Sequence, residues 1–233
     1  MMQTMIAVNR LVPRLRCGVL AVLLLISLAA AGKAQAIDAN DAPSGMFVYQ
    51  VMRGNDVIGE QRLTFDRRGD GLTVVTDAKI DVKLLGMSLY GFDQHVEENW
   101  QNGQLVGFSS VADDDGTDKK TDMTLSGNQL TGTYNGKQRT APLGIYPTSF
   151  WNADSVKQTQ FIDTSRGKIR QVKVTDKGTE ALNLPFGRVT AHHYSIDGDM
   201  KRELWYDEKG VLVAGELQAK DGSTIRQELL RAP

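Results

Sequence analysis

Cysteine is almost absent from the sequence: the 233 residues contain one, Cys17, in an N-terminal segment that we expect to be removed. The domain that remains can form no disulfide, although exported domains with small cores often depend on them. It must be stable by burial alone, and 41% hydrophobic residues allow a sizeable continuous core. Aromatic residues make up only 7% of the chain, so the places where they cluster are informative.

Sequence motifs of the common enzyme and cofactor classes are missing as well. No serine lies in a Gly-x-Ser-x-Gly elbow, and neither a P-loop nor a dinucleotide fingerprint is present. The three histidines, His95, His192 and His193, lack a metal-binding spacing, because the adjacent pair would point to opposite faces of a strand. We therefore assign no catalytic residue, no metal and no cofactor, which favours a non-enzymatic protein.

Positive charge is scarce beyond the N-terminal segment. Residues 1–36 contain four basic residues and no acidic one, so their removal leaves 23 basic against 28 acidic residues. A mildly acidic domain without a basic stripe is not suited to nucleic acid, and we expect none as a partner. The acidic run DDDGTD at 113–118 is interpreted as a solvated hairpin turn, because its oxygens do not follow the alternating pattern of a calcium loop.

Residues 1–36 have the three parts of a secretory signal peptide. Basic residues precede an apolar run at 17–31, and a small-x-small cleavage pattern ends at Ala36. We expect cleavage after Ala36, a periplasmic or secreted product, and no membrane span afterwards. The alternative is an uncleaved anchor, for which the apolar run is short. Residues 37–45 then form a flexible polar leader.

Turn signals recur at hairpin spacing through the rest of the chain. Asn102-Gly103, Asp207–Gly210 and Lys220–Ser223 each supply a glycine between apolar runs, because tight hairpin turns need a positive φ. Residues 72–84 alternate between apolar and polar side chains, as a strand with one buried face does. No repeat or linker interrupts the pattern, so 46–233 is predicted to be a single antiparallel β domain.

One segment breaks the rhythm of strands. Residues 144–156 contain Pro147, and Thr148 or Ser149 can cap a short helix near 148–156. Elsewhere, regular turns without helical crossovers imply antiparallel neighbours. The predicted fold class is all-β: an antiparallel meander that forms a curved sheet, half-barrel or open barrel, with this one short helix.

Glu98 lies at an unexpected position in the predicted strand 88–100. Side-chain alternation places it beside Val96 and Trp100 on the apolar face. A carboxylate there must be paired, hydrogen-bonded or protonated, because an isolated buried charge is costly. Glu98 is either a pocket acid that orients a ligand, a member of an internal ion pair, for example with Arg202, or a surface residue displaced by a bulge.

Aromatic residues cluster around the break in the strand pattern and at strand ends. The candidate ligand-contacting rings are those of Trp100, Tyr146, Phe150, Trp151 and Trp205. At the mouth of an open barrel they could contact a lipid, a fatty chain or a sugar. The alternative is that the rings simply close one end of the core.

Four groups of motifs are spread over the chain from residue 49 onward. They are Tyr49-x-Val51 with Gly54 and Ile58-Gly59, Glu98-x-Trp100 with Gly103-x-Leu105, Pro147-x-Ser149-x-Trp151-Asn152, and Trp205-Tyr206-Asp207 with Gly210-x-Leu212. In this order they resemble a family of uncharacterised exported bacterial proteins, an all-β domain of unknown function. The last group also resembles periplasmic lipoprotein carriers and related half-barrels, which implies an antiparallel sheet curved around a hydrophobic cavity. The carriers have several helices as a lid, whereas this chain shows one helical segment.

These observations lead to three hypotheses of function. The first is an exported, non-enzymatic envelope protein that binds an apolar or amphipathic ligand, such as a lipid, in a curved β-sheet cavity. The second is a structural or interaction module of the cell envelope with a filled core. The third is a carboxylate-dependent enzyme acting on a cell-wall or polysaccharide substrate, with Glu98 as a candidate. A cavity that Glu98 faces would favour the first.

Overall fold

The computed structural model describes residues 43–84, 87–219 and 221–233. The predicted signal peptide, 1–36, and most of the predicted leader lie outside the described residues. The described residues form fifteen strands and one helical turn. They are β1 (Gly45–Arg53), β2 (Asp56–Arg68), β3 (Gly71–Leu84), β4 (Met87–Gln101), β5 (Gln104–Asp114), β6 (Thr117–Ser126), β7 (Gln129–Tyr134), β8 (Lys137–Pro142), β9 (Tyr146–Pro147), a 3₁₀ helix (Ala153–Lys157), β10 (Gln160–Asp163), β11 (Lys168–Leu184), β12 (Gly187–Gly198), β13 (Arg202–Tyr206), β14 (Leu212–Gln218) and β15 (Thr224–Arg231). No helix among these residues has the length and apolarity needed to cross a membrane.

The strands form a single sheet in which most neighbours in sequence are also neighbours in space. Their order is β8-β7-β6-β5-β4-β3-β2-β1-β15-β14-β13-β12-β11-β10-β9. The first and last strands, β1 and β15, therefore pair in the middle of the sheet. Of the strand pairs described, only β9 with β10 is parallel. The predicted antiparallel meander is confirmed, because short turns join strands that can pair directly.

The sheet curves so that its two ends approach each other. Arg139 of β8 donates a hydrogen bond from Nε to the backbone oxygen of Arg166, in the turn between β10 and β11, at 3.1 Å. Gly167 in the same turn packs so closely that an added Cβ would lie 3.0 Å from Arg139 Cγ and 3.2 Å from Thr121 Cγ2. The result is one open, curved, barrel-like sheet.

Side-chain alternation determines which residues face the inside of the curve. In β3, Val74, Thr76 and Ala78 are buried, whereas Asp77 and Lys79 are exposed, as the sequence predicts. The inward side chains form two hydrophobic clusters. The larger one includes Phe47, Leu63, Phe65, Val74, Trp100, Phe108, Met123 and Trp151, and the smaller one consists of Phe150, Phe161, Ile196, Leu204, Tyr206 and Leu212.

The predicted helix near 148–156 is a single 3₁₀ turn that starts later, at Ala153. Asn152 caps it instead of Thr148 or Ser149: its side-chain oxygen accepts a hydrogen bond from the backbone N–H of Asp154 at 2.9 Å. The chain at the start of the predicted helix is held extended, because Tyr146 and Pro147 of β9 pair with β10 and the backbone N–H of Thr148 donates to the Ile162 oxygen at 3.1 Å. Sheet pairing therefore overrides the local capping signal.

Residues 168–184 form one long strand, β11, that continues through an irregularity at its middle. The pairing of β11 with β12 shifts between Asp176 and Gly178, which is the signature of a β-bulge. Gly178 has a φ of 84°. A glycine takes this conformation without a Cβ clash, so the extra residue is absorbed and the strand continues.

The acidic run at 113–118 makes a hairpin turn, as predicted, but the turn itself is short. β5 continues to Asp114 and β6 begins at Thr117. Only Asp115 and Gly116 lie between them, with φ values of 55° and 79°. The Asp113 side chain accepts a hydrogen bond from the backbone N–H of Gly116 at 2.7 Å, which closes the turn.

Candidate functional site

A cleft of about 680 Å³ opens on the concave side of the sheet. This volume lies within the range of roughly 300–1,000 Å³ that is typical of small-molecule sites. Apolar side chains on its walls include Val51, Ile80, Phe92, Val96, Leu204 and Leu217. Four glutamines, Gln61, Gln94, Gln218 and Gln227, line it as well. The lining therefore combines apolar and polar side chains, and it is more polar than the hydrophobic cavity expected from the sequence.

Glu98 lies among the lining residues and is completely buried. Its Oε2 accepts hydrogen bonds from the indole Nε1–H groups of Trp100, at 3.1 Å, and Trp151, at 3.0 Å. The structure places Glu98 on the buried side of β4, with Val96 and Trp100, and not at the surface. Two neutral donors hold the carboxyl group, in place of the alternative partner, Arg202.

Three buried polar atoms in the same part of the molecule have no hydrogen-bond partner within 3.5 Å among the described residues, although the Ser149 hydroxyl lies close enough to the Glu98 carboxyl group to lower its pKa. They are Oε1 of Glu98, Oγ of Ser149 and Oγ1 of Thr76. All three residues line the cleft. Buried polar groups in proteins are almost always hydrogen-bonded, and ordered water or a ligand can supply a missing partner. These atoms therefore define a polar patch at which a ligand group can be bound.

Burial raises the pKa of Glu98 above that of a carboxyl group in water. The hydrogen bonds from Trp151 and Trp100, and the nearby Ser149 hydroxyl, oppose this effect only in part. The environment therefore favours the neutral acid. A protonated Oε1 is a hydrogen-bond donor, whereas an ionised one is an acceptor.

An aromatic layer holds Glu98 in place. The ring of Trp100 packs edge-to-face against those of Trp151, with centroids 5.2 Å apart, and Tyr146, at 5.8 Å. Trp151 in turn packs against Phe65 at 5.4 Å. The structure thus brings Glu98, Trp100, Tyr146 and Trp151 together, and the three rings belong to or pack on the larger cluster. Together, the packed rings support the Glu98 carboxyl group beside the cleft.

Phe150 and Trp205, the other two predicted site residues, lie in different places. Phe150 lines the cleft, packs on Phe161 at 5.1 Å, and its carbonyl accepts a hydrogen bond from Tyr206 at 2.8 Å. The indole of Trp205 donates to Glu180 Oε1 at 2.6 Å. Trp205 belongs to the larger hydrophobic cluster and is not among the residues that line the cleft.

A cluster of arginines also lines the cleft, and sequence reasoning did not single it out. Arg166, Arg170 and Arg202 surround a single aspartate, Asp163. Burial acts to raise the pKa of Asp163, but hydrogen bonds from Ser165 and Arg170 and the charges of both neighbouring arginines hold it below its usual value. The sequence does contain one indication of this cluster: the alternation of side chains along a strand places Arg202 on the same side of β13 as the buried Leu204.

The chain belongs to the DUF6134 family, a domain of unknown function, whose model matches residues 49–230. A crystal structure from Brucella abortus, of a beta-barrel-like protein of domain of unknown function DUF1849, is similar to it with a TM-score of 0.61. The two share 13% sequence identity over 82% of this chain and 98% of that chain, so the likeness shows the fold alone. No curated protein matches the chain. The resemblance to an all-β family of unknown function is confirmed.

Proposed function

We propose that this protein binds an amphipathic small molecule in the cleft of its curved sheet. The observation that carries the proposal is the polar patch at Glu98, Ser149 and Thr76, which line a cleft of about 680 Å³ and each have a buried oxygen without a hydrogen bond within 3.5 Å to the described residues. Three of the five such atoms among the described residues belong to residues that line this one cleft, a concentration that a fully packed structural core does not require.

The walls of the cleft suit the apolar part of such a ligand. Phe92, Val96 and Leu204 offer apolar surface, and burial of a hydrocarbon chain against it contributes roughly 25 cal/mol per Å². The glutamines and the polar patch bind the polar part. A purely hydrocarbon ligand would leave these groups desolvated without partners, so an amphipathic molecule fits better than an apolar one.

Native mass spectrometry of the protein purified from its host tests the proposal directly. We expect a bound small molecule that organic solvent extracts. Ala78→Phe places a large ring in the cleft and should abolish binding, because Ala78 is a lining residue. Val75→Phe is the matched control, since Val75 lies on the opposite side of the same strand and does not line the cleft.

Repeated absence of any bound molecule, with equal thermal stability of both phenylalanine variants in added lipid, would count against a binding function. The interaction module with a filled core would then be the better hypothesis. For the carboxylate-dependent enzyme, the test is Glu98→Gln: full turnover of a cell-wall polysaccharide by this variant removes Glu98 as the acid–base group.

Export is part of our proposal, and the mature N-terminus of protein from the periplasmic fraction should be Ile37.

A further inference from the structure

We propose that Arg202 and Arg170, with Arg166 at the rim, form an anion subsite that binds the carboxylate or phosphate head of the ligand. This inference rests on the proposed function and adds the charge class of the molecule bound. The evidence is that the three guanidinium groups differ in the contacts that they make.

Two of the arginines share one carboxylate. Arg170 donates to Asp163 Oδ2 from Nη2 at 2.7 Å and from Nε at 3.3 Å. Arg166 approaches the same oxygen only to 3.8 Å. Ser165 donates to the other oxygen, Oδ1, through its hydroxyl at 2.7 Å and its backbone N–H at 3.1 Å. The aspartate is therefore already saturated and can neutralise only one of the arginines.

Of the three arginines, Arg202 makes the fewest contacts with acidic groups of the protein. Its Nη1 donates to the backbone oxygen of Lys201 at 2.7 Å. No carboxylate of the described residues lies within 4.0 Å of its guanidinium, although it is partly buried and lines the cleft. Its remaining N–H groups are thus available, and a guanidinium presents them in a planar fork that matches a carboxylate or a phosphate.

The other acidic residues that line the cleft have partners of their own. Asp114 is paired with Lys119, and Glu216 with Arg226 at 2.5 Å. Asp199 accepts a hydrogen bond from the backbone N–H of Gln171 at 3.0 Å. Glu98 is held by its two indoles. Because a backbone N–H is neutral, Asp199 keeps its negative charge, and the three arginines exceed Asp163 and Asp199 by one positive charge, in a cleft whose apolar walls would take an alkyl chain.

Four amphiphiles with the same alkyl chain and different heads test the inference in the unmodified protein: palmitate, hexadecyl phosphate, hexadecanol and cetyltrimethylammonium. Binding is measured by tryptophan fluorescence below the micellar concentration. We expect at least one anion to bind about tenfold more tightly than hexadecanol, the size expected of a charge-assisted hydrogen bond, and the cation to bind least. Comparison of palmitate with hexadecyl phosphate distinguishes the two anionic heads.

Variants then assign the preference to Arg202. Arg202→Gln should remove the advantage of the anion while leaving the binding of hexadecanol unchanged, and Arg202→Lys should keep part of it. Arg188→Gln is the matched control, because Arg188 is exposed on β12 and does not line the cleft. Equal binding of all four heads, or an unaltered preference in Arg202→Gln, overturns the anion subsite and leaves the proposed function intact. Failure of every amphiphile to bind overturns both.

Discussion

The carboxyl group of Glu98 accepts a hydrogen bond at 3.0 Å from the indole of Trp151, a residue 53 positions further along the chain. This bond connects β4 to the segment that precedes the 3₁₀ helix. It is buried at both ends, since Glu98 is fully buried and Trp151 is 5% exposed. A hydrogen bond to a buried carboxyl group has a larger effect on stability than one at the surface.

Removal of this bond should destabilise the fold. Trp151→Phe keeps most of the ring and deletes the N–H donor, so we expect a loss of about 1–3 kcal/mol in the free energy of unfolding, measured by urea denaturation. Trp205→Phe is the control, because that indole donates to Glu180, whose side chain is 49% exposed. Both substitutions remove the same atoms, so the excess loss in Trp151→Phe reports the buried bond. Equal losses would show that the bond to Glu98 contributes nothing specific.

The raised pKa of Glu98 makes a prediction about pH. Because the folded pKa lies above the unfolded value, near 4.5, the native state binds the proton more tightly than the unfolded chain. The contribution of Glu98 to stability is therefore complete below the unfolded pKa and is lost as pH rises through the folded pKa. Glu98→Gln cannot ionise, so its stability relative to the unmodified protein should increase as pH rises above about 4.5.

Urea denaturation of both proteins at several pH values between 4 and 8, on the order of one unit apart, measures this difference directly. Glu97→Gln is the matched control: it removes a carboxyl group from the next residue, which points to the other face of β4. The stability of that variant relative to the unmodified protein should not increase as pH rises. A constant difference between Glu98→Gln and the unmodified protein across the range would mean that Glu98 ionises alike in both states.

Local features of this fold could be predicted from the sequence because local physics determines them. Asn102 and Gly103 have φ values of 50° and 72°, as a tight hairpin turn requires, and few other residues take these angles. The two-residue period of β3 and β4 determined which side chains are buried, including the polar Glu98. A period of two assigns a face correctly wherever the strand itself is identified.

Contacts between distant segments could not be predicted. Nothing in the sequence near Glu98 indicates that Trp151 will reach it, because that depends on the path of the chain through five intervening strands. The arginine cluster could not be predicted for the same reason, because it is formed by distant segments. Arg166 and Arg170 flank the start of β11, while Arg202 begins β13. Strand periodicity gives each residue a face but not a neighbour, so a site assembled across the sheet appears only in the structure.

Close backbone approach at Gly59 leads to the third prediction. An added Cβ at Gly59 would lie 2.2 Å from the Lys79 oxygen and 2.8 Å from Ile80 Cα, so β2 and β3 would have to separate. We expect Gly59→Ala to cost about 2 kcal/mol or more of unfolding free energy. Gly91→Ala in β4 is the control, because an added Cβ there meets nothing within 4 Å, and it should stay within about 0.5 kcal/mol. Similar values for the two alanines would contradict the close approach.

The ion pair of Arg170 with Asp163 leads to the fourth prediction. The pair has side chains 21% and 13% exposed, so water screens it little. Arg170→Met keeps the aliphatic stem and leaves the carboxylate without its strongest donor, for which we expect a loss of roughly 1–3 kcal/mol at neutral pH. Arg53→Met breaks an Arg–Asp pair that is 38% and 54% exposed, and should cost at most about 1 kcal/mol.

The pH dependence of this loss has a definite sign. The pKa of Asp163 is held below its ordinary value of 3.8, so its contribution to stability is complete above that value and is lost as pH falls through the folded pKa. The deficit of Arg170→Met should therefore shrink in acid, where Asp163 becomes neutral in both proteins. Urea denaturation of both proteins from neutral pH down into the acid range follows this change. A deficit that does not change over this range would mean that Arg170 stabilises the fold by something other than its ion pair with Asp163.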